Sequence, residues 1–305
     1  MENPEIDSLL RMPLPELISF AGQTRRNFVG SRFELCSIIN AKSGLCNEDC
    51  KFCAQSLQHS VKIPTYSLKK IEEIVKAARK AKEIGAEKFG IVTSGNRPNR
   101  KEIDTISQAI LEIKKTVDIA VCASLGALTK QELKMLKESG LSRYHHNIET
   151  SPRFYPQIVS THSFQKKVDT IKAAKEAGLE VCSGGIIGMG ESWQDRIDMV
   201  TLLKELDVDS VPINFLIPIR GTSLQSLIPI SSEDAIRTIC IFRIVLGDKI
   251  IKIAAGREAI LRDSQNLGFM AGANGMLIGG YLTVKGNDMA DDYKLIEEIK
   301  RLWAE

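Results

Sequence analysis

The stretch that decides the fold is the first strand–helix–strand unit, which is ELCSII at 34–39, LKKIEEIVKAARKAKEI at 68–84 and KFGIVT at 88–93. The two outer runs are short and rich in apolar residues, as buried strands are. In the middle run, apolar residues recur at helical spacing from Ile71 to Ala78, and Gly85 follows the last one. The pattern predicts two strands joined by an amphipathic helix.

The same alternation continues along the chain. Further strand candidates are Ile119–Ser124, Arg143–Ile148, Leu179–Ile187, Ser210–Phe215, Ile250–Ala254 and Gly275–Gly279. Eight strands alternating with helices predict a parallel (β/α)8 barrel, and an open doubly wound sheet is the alternative that this alternation allows. Because no Pro- or Ser-rich linker interrupts the pattern, we expect one barrel domain at 33–305 after an N-terminal helical extension at 1–32.

Composition excludes several function classes. The 305 residues include 41 Lys+Arg against 38 Asp+Glu, so a net charge of +3 gives no case for nucleic-acid binding. No apolar run is long enough for a membrane span, and the N-terminus lacks the features of a signal peptide. We expect a cytoplasmic protein, in which seven cysteines indicate metal binding or redox chemistry rather than disulfides.

Three of the cysteines form a compact motif. Cys46, Cys50 and Cys53 have the spacing C-x3-C-x2-C and follow the first strand, at the barrel end where such enzymes hold their active sites. Three thiolates can bind three irons of a 4Fe–4S cluster and leave the fourth iron open. A structural zinc site with His59 as fourth ligand is the alternative, although its spacing is unlike that of a zinc knuckle.

The string around this motif, SGLCNEDCKFCAQS at 43–56, resembles the radical S-adenosylmethionine (SAM) enzymes and, among them, the biotin synthase family. The resemblance covers about residues 15 to 300. Its other strings are YHHNIETS at 144–151, VCSGGIIGMGE at 181–191, VPIN at 211–214, AGRE at 255–258 and FMAGAN at 269–274.

The resemblance implies a sulfurtransferase that makes biotin from dethiobiotin. In this family a 4Fe–4S cluster cleaves SAM to a 5′-deoxyadenosyl radical, and an auxiliary iron–sulfur cluster supplies the sulfur. It also implies a homodimer and an electron donor such as flavodoxin or ferredoxin. Because the cofactors carry the chemistry, we assign no catalytic acid or base. A radical SAM relative without sulfur insertion, and a non-catalytic iron or zinc protein, are the competing functions.

The resemblance also assigns binding residues. Asn147 and Glu149 occupy alternate positions of the predicted fourth strand, so both side chains are expected on one face. His145 stands where the family has an Asn, which affects one substrate contact. The implied SAM-binding residues are Phe52, Asn147, Glu149, Lys167, Gly184 and Ile186, and the implied substrate-binding residues are Asn147, Asn214 and Thr283.

The chain departs from the family at the auxiliary cluster, which usually has three cysteine ligands and one arginine. Cys122 and Cys182 are present, but Gly90 replaces the strand-two cysteine and Lys252 replaces the arginine. Cys36, on the first strand, is an additional cysteine. Because inward side chains of alternate barrel strands form layers, we predict that Cys36, Cys122 and Cys182 share one layer with Lys252. Three thiolates favour a four-iron auxiliary cluster over the usual 2Fe–2S cluster.

Overall fold

The structure is a computed structural model that describes residues 6–282 and 286–304. Its strands are β1 (Glu34–Lys42), β2 (Lys88–Thr93), β3 (Ala120–Ser124), β4 (Arg143–His145), β5 (Glu180–Cys182), β6 (Gly185–Ile187), β7 (Ser210–Phe215), β8 (Ile250–Ile253) and β9 (Gly275–Leu277). All neighbouring strands are parallel, in the order β5-β4-β3-β2-β1-β9-β8-β7-β6, and β5 also pairs with β7. The sheet therefore closes, which confirms the predicted barrel and excludes the open sheet.

The fourth and fifth predicted strands are shorter than expected. The predicted strand Leu179–Ile187 is divided into β5 and β6, which together occupy one position in the barrel. A Cβ atom on Gly184 would lie only 2.0 Å from the carbonyl oxygen of Pro212, so the chain bends here to pass close to β7. The regular part of the fourth strand ends at His145, before the polar residues that follow it.

Helices surround the barrel. They are α1 (Ile6–Arg11), α2 (Leu14–Phe28), α3 (Ile71–Glu83), α4 (Arg100–Thr116), α5 (Lys130–Glu138), α6 (Phe164–Glu176), α7 (Trp193–Glu205), α8 (Ser232–Leu246), α9 (Arg257–Leu261), α10 (Gln265–Met270) and α11 (Met289–Ala304). Isoleucine, leucine, valine and alanine side chains from their inner faces form one continuous core with the outward faces of the strands. No helix in the described ranges combines the length and the apolar character that crossing a membrane requires.

The N-terminal helices pack against the barrel. Leu17 and Ala21 of α2 are fully buried. Arg237 of α8 donates hydrogen bonds to the carbonyl oxygens of Leu10 and Met12, at 3.3 and 2.8 Å. The described part of the predicted extension at 1–32 therefore contributes to the core of the same body, and residues 1–5 lie outside the described ranges.

Candidate active site

The C-x3-C-x2-C cysteines lie in the loop between β1 and α3, at the carboxyl end of the barrel. The loop folds back on itself, because the Cys46 N–H donates to the Gln55 carbonyl oxygen at 3.2 Å and the Leu57 N–H donates to the Cys46 carbonyl oxygen at 2.8 Å. The three thiols are free, and the charge of each ionised sulfur would act on the others. Burial raises the pKa of Cys50 and Cys53, so these thiols stay protonated until a metal displaces the proton.

The acidic residues between the cysteines anchor this loop to the segment before α6. Asp49 accepts hydrogen bonds from the backbone N–H groups of Ser160 and Thr161, at 2.9 and 3.2 Å. The Oε2 atom of Glu48 lies 2.7 Å from Nδ1 of His162. These contacts tie the cysteine loop to the segment before α6.

The described side chains do not support the zinc alternative. The Nε2 atom of His59 lies 3.1 Å from the carbonyl oxygen of Cys50, where it contacts the backbone rather than completing a set of ligands. Across residues 6–282 and 286–304, no three His, Cys, Asp or Glu side chains are arranged to hold one metal ion. Each iron of a cluster can instead take its own thiolate.

The chain after β4 adopts an unusual backbone conformation at Glu149. Its φ angle is 72°, in the left-handed region that non-glycine residues rarely enter and that costs about 1–3 kcal/mol. The Glu149 N–H donates to the Gly184 carbonyl oxygen at 3.1 Å, and its carbonyl oxygen accepts from Ile186 N–H at 2.8 Å. Strand alternation therefore does not extend to Glu149. The structure nevertheless brings the two predicted residues together, since the Asn147 side chain lies close enough to the Glu149 carboxylate to lower its pKa.

Charged groups of both signs converge beside the cysteine loop. Lys167, on α6, is close enough for its charge to act on both Glu149 and Cys50. Burial raises the pKa of Glu149, and Lys167 opposes that shift. The rim thus offers a carboxylate and an ammonium next to three thiols, which suits a ligand that has both a carboxylate and hydroxyl or ammonium groups.

A small apolar cluster covers the barrel mouth next to these charges. Two predicted SAM-binding residues, Phe52 and Ile186, pack against it. Gly184 lies below it, and its missing side chain is explained by the close approach to Pro212, without any ligand. The buried members of this mouth cluster are Phe154, Tyr155, Ile158, Val159, Met189 and Leu216.

Inside the barrel, the structure brings Cys36, Cys122, Cys182 and Lys252 together. The Lys252 ammonium donates to the Cys36 sulfur at 3.1 Å, and its charge also interacts with Cys182. Cys36 in turn interacts with Cys122. All four side chains are at most 4% exposed. Burial raises the pKa of Cys36 to about 12, so this thiol is protonated when no metal is bound.

Below these thiols lies a group of charged side chains that we call the charged floor, made of Glu34, Lys88, Arg143, Glu180 and Lys252. The Glu34 carboxylate accepts from Lys252 at 2.8 Å and from Arg143 at 2.5 and 3.1 Å. Arg143 also donates to Glu180 at 2.9 Å, and Lys88 lies 3.2 Å from the same carboxylate. Glu34 and Arg143 were not among the predicted site residues. Glu34 lies two residues before Cys36, and Arg143 two before His145, so strand alternation could have identified both.

The structure shows the surroundings of two positions at which the chain departs from the family pattern, Gly90 and His145. A methyl carbon of Ile38 lies 3.1 Å from where a Cβ atom of Gly90 would be, so Ile38 fills the space of a strand-two side chain. The imidazole of His145 lies in contact with Cys122, close enough to act on its pKa. Although burial opposes it, this contact and nearby cations hold the pKa of Cys122 below its usual range. His145 therefore faces the interior thiols.

The predicted substrate-binding residues are placed as follows. Asn214, at the end of β7, donates to the Gly185 carbonyl oxygen at 3.1 Å and accepts from Ala255 N–H at 3.2 Å. It thereby joins neighbouring strand ends, and one donor and part of its acceptor capacity remain available. Asn147 accepts from Gly184 N–H at 3.2 Å. Thr283 lies outside the described residues.

Two family models match the chain. The Radical SAM superfamily model matches residues 42–203, and the Biotin and Thiamin Synthesis associated domain matches residues 212–300. Both matches lie within the one closed barrel.

Curated relatives match over nearly the whole chain. Biotin synthase of Thermotoga neapolitana is 54% identical over 273 residues, which are 89% of this chain and 98% of the relative. Biotin synthase of Thermotoga petrophila is 50% identical over 299 residues, 98% of this chain and 99% of the relative. Among solved structures, methylornithine synthase (PylB) superposes with a TM-score of 0.84 at 20% identity, covering 98% of this chain and 92% of that one. That structural likeness shows the fold alone.

Proposed function

Because the chain belongs to the biotin synthase family of the radical SAM superfamily, we propose how its own residues divide that family's reaction between two places in the barrel. The chain is an enzyme that inserts sulfur into dethiobiotin and uses SAM and a 4Fe–4S cluster. The observation that carries the proposal is the presence of two separate groups of three thiols, one at the rim and one inside the barrel.

We assign the rim thiols, Cys46, Cys50 and Cys53, to the cluster that binds SAM. The residues fit this group, since they are three free thiols in one loop that contacts of Asp49 and Glu48 hold against the segment before α6. When bound, the cluster and SAM supply the radical that takes hydrogen from unactivated carbons of the substrate. The work of the protein is to hold the reacting groups in line and to exclude water.

Different residues around the rim thiols recognise different parts of SAM. Glu149 accepts hydrogen bonds from the ribose hydroxyl groups, and Asn147 fixes the direction of that carboxylate. Lys167 pairs with the carboxylate of SAM, since it is the cation that acts on both Glu149 and Cys50. Phe52, Ile186 and the backbone at Gly184 form the apolar side of the site, where the adenine lies.

For the interior site we propose a four-iron auxiliary cluster bound by Cys36, Cys122 and Cys182. Although burial opposes it, the charges of Cys36, Cys182 and Glu34 hold the pKa of Lys252 above its usual range. An ammonium has no lone pair for iron, so Lys252 donates a hydrogen bond to the Cys36 sulfur instead of replacing the family's arginine as a ligand. Cys36, Cys122 and Cys182 would hold this cluster by three of its irons, and the cluster would supply the sulfur for the reaction when bound.

Iron counting and Mössbauer spectroscopy on the anaerobically reconstituted protein test this assignment. We expect about eight irons per chain in the unchanged protein and about four in Cys36→Ala. Cys240, a buried thiol of α8 outside both groups, provides the matched control, and Cys240→Ala should keep the full iron content. An unchanged iron count in Cys36→Ala would show that Cys36 is a packed core residue and not a cluster ligand.

The substrate lies between the two groups of thiols in this proposal. The remaining hydrogen-bonding capacity of Asn214 suits the cyclic urea of dethiobiotin, with Asn147 and Thr283 as further contacts. From the family we also propose a homodimer, a flavodoxin or ferredoxin as electron donor, and a cytoplasmic location. Sedimentation of the purified protein tests the first of these.

The deciding experiment is an anaerobic assay with SAM, a reductant and dethiobiotin, in which biotin and 5′-deoxyadenosine are both measured. Formation of both products supports the proposal. 5′-Deoxyadenosine without biotin would show a SAM-cleaving enzyme that does not insert sulfur, which is the competing function.

A further inference from the structure

The mouth cluster contains one polar atom that no protein group satisfies. Tyr155 lies in a short 3-10 turn, Tyr155–Gln157, and its side chain is only 1% exposed. Its hydroxyl has no hydrogen-bond partner in the part of the chain that the structure describes. A buried hydroxyl without a partner is unfavourable, so a bound molecule is its expected partner.

The ring of Tyr155 lies next to the residues assigned to the SAM site. The ring is held edge-on by Phe164 at 5.2 Å and by His162 at 6.0 Å between centroids. It belongs to the cluster against which Cys50 and Phe52 pack. Burial raises the pKa of Tyr155, and the charges of Glu149, Cys50, Glu48 and Asp49 add to that shift, so the phenol lies among the charged groups of the rim.

We propose that the Tyr155 hydroxyl donates a hydrogen bond to the carboxylate of bound SAM, the same group that we assign to Lys167. The proposal rests on the SAM site assigned above and adds a residue to it. Of the groups on SAM, the sulfonium and the ammonium are cations, and the ribose hydroxyls can donate to Glu149. The carboxylate is the anionic acceptor, and a phenol donates most strongly to an anion.

Titration calorimetry of SAM into the cluster-loaded protein tests the proposal, with Tyr155→Phe as the variant. Loss of a hydrogen bond to a charged group predicts SAM binding that is about tenfold weaker or more. The matched control is Tyr144→Phe. Tyr144 is also fully buried, but its hydroxyl donates to the Gly126 carbonyl oxygen at 2.6 Å, so its loss should leave SAM affinity unchanged.

Thermal unfolding of the same cluster-loaded proteins distinguishes a Tyr155 that binds SAM from a Tyr155 that only supports the fold. Without SAM, Tyr155→Phe should unfold at the same temperature as the unchanged chain or higher, because an unsatisfied hydroxyl has been removed. Tyr144→Phe should unfold at a lower temperature. Saturating SAM should stabilise the unchanged chain more than it stabilises Tyr155→Phe.

A second ligand identifies the group on SAM. 5′-Methylthioadenosine keeps the adenosine and lacks the carboxylate, so it should bind Tyr155→Phe and the unchanged chain equally. An equal loss for both ligands would overturn the assignment to the carboxylate. Equal SAM affinity of the two proteins would overturn the role of Tyr155 altogether, whereas failure of the unchanged chain to bind SAM would overturn the SAM site itself.

Discussion

Glu34→Gln is the substitution that tests the charged floor most directly. The carboxylate contacts Lys252 at 2.8 Å and Arg143 at 2.5 Å, and the three side chains are between 1% and 4% exposed. Removing one member of such a buried set leaves uncompensated charge and costs about 3–5 kcal/mol in the free energy of unfolding. The variant should therefore show a much lower urea midpoint at neutral pH, measured on reduced, cluster-free protein.

A double substitution separates charge from packing at this site. Glu34→Gln with Lys252→Met removes one negative and one positive charge, and Arg143 keeps its contact with Glu180. The loss in the free energy of unfolding should be smaller for the double variant than the sum of the losses for Glu34→Gln and Lys252→Met. We expect the difference to be at least about 1 kcal/mol. Glu176→Gln, in an exposed pair with Lys130, should leave the midpoint unchanged. A Glu34→Gln midpoint equal to that of this control would refute the buried network.

The same network predicts a pH dependence. Although burial alone would raise it, the charges of Lys252 and Arg143 hold the pKa of Glu34 well below its usual range. A carboxyl group whose pKa is lowered by folding stabilises the protein above its unfolded pKa, about 4.3 for Glu, and loses that contribution as the pH falls further. The unchanged chain should therefore lose stability more steeply than Glu34→Gln below about pH 4.

Three further substitutions test the rim. Cys50→Ala should abolish 5′-deoxyadenosine formation while the far-ultraviolet circular dichroism stays that of a barrel; retained SAM cleavage would contradict the cluster assignment. Glu149→Gln should weaken SAM binding more than dethiobiotin binding, measured by calorimetry, and equal effects on the two ligands would remove it from the SAM site. Gly184→Ala should lower the thermal midpoint, since its Cβ atom would lie 2.0 Å from Pro212 and overpacking costs about 1–3 kcal/mol; an unchanged midpoint would show that β7 can move.

The barrel could be predicted from the sequence because its strands and helices each produce a local pattern of apolar residues. Alternating strand and helix runs identified every barrel position, and alternate-strand layering predicted that Cys36, Cys122, Cys182 and Lys252 would meet. Each of these inferences needs only the period of a strand and the symmetry of a closed sheet.

Predictions from the sequence failed where the backbone departs from regular strand geometry. Glu149 has a positive φ angle and Gly184 lies against Pro212, and both depend on contacts between segments distant in sequence. Tyr155 was missed for a related reason. Its sequence position looks like that of any aromatic core residue, and only the packed structure shows that its hydroxyl lacks a partner.

The charged floor also determines how molecules can move through the barrel. Glu34, Arg143 and Lys252 lie below the thiols, joined by ion pairs and at most 4% exposed, so among the described residues they close that end of the barrel interior. Whatever reaches Cys36, Cys122 and Cys182 must enter past the rim, and must leave the same way. We therefore expect the substrate, the product and any iron and sulfide supplied to the interior thiols to pass the same rim.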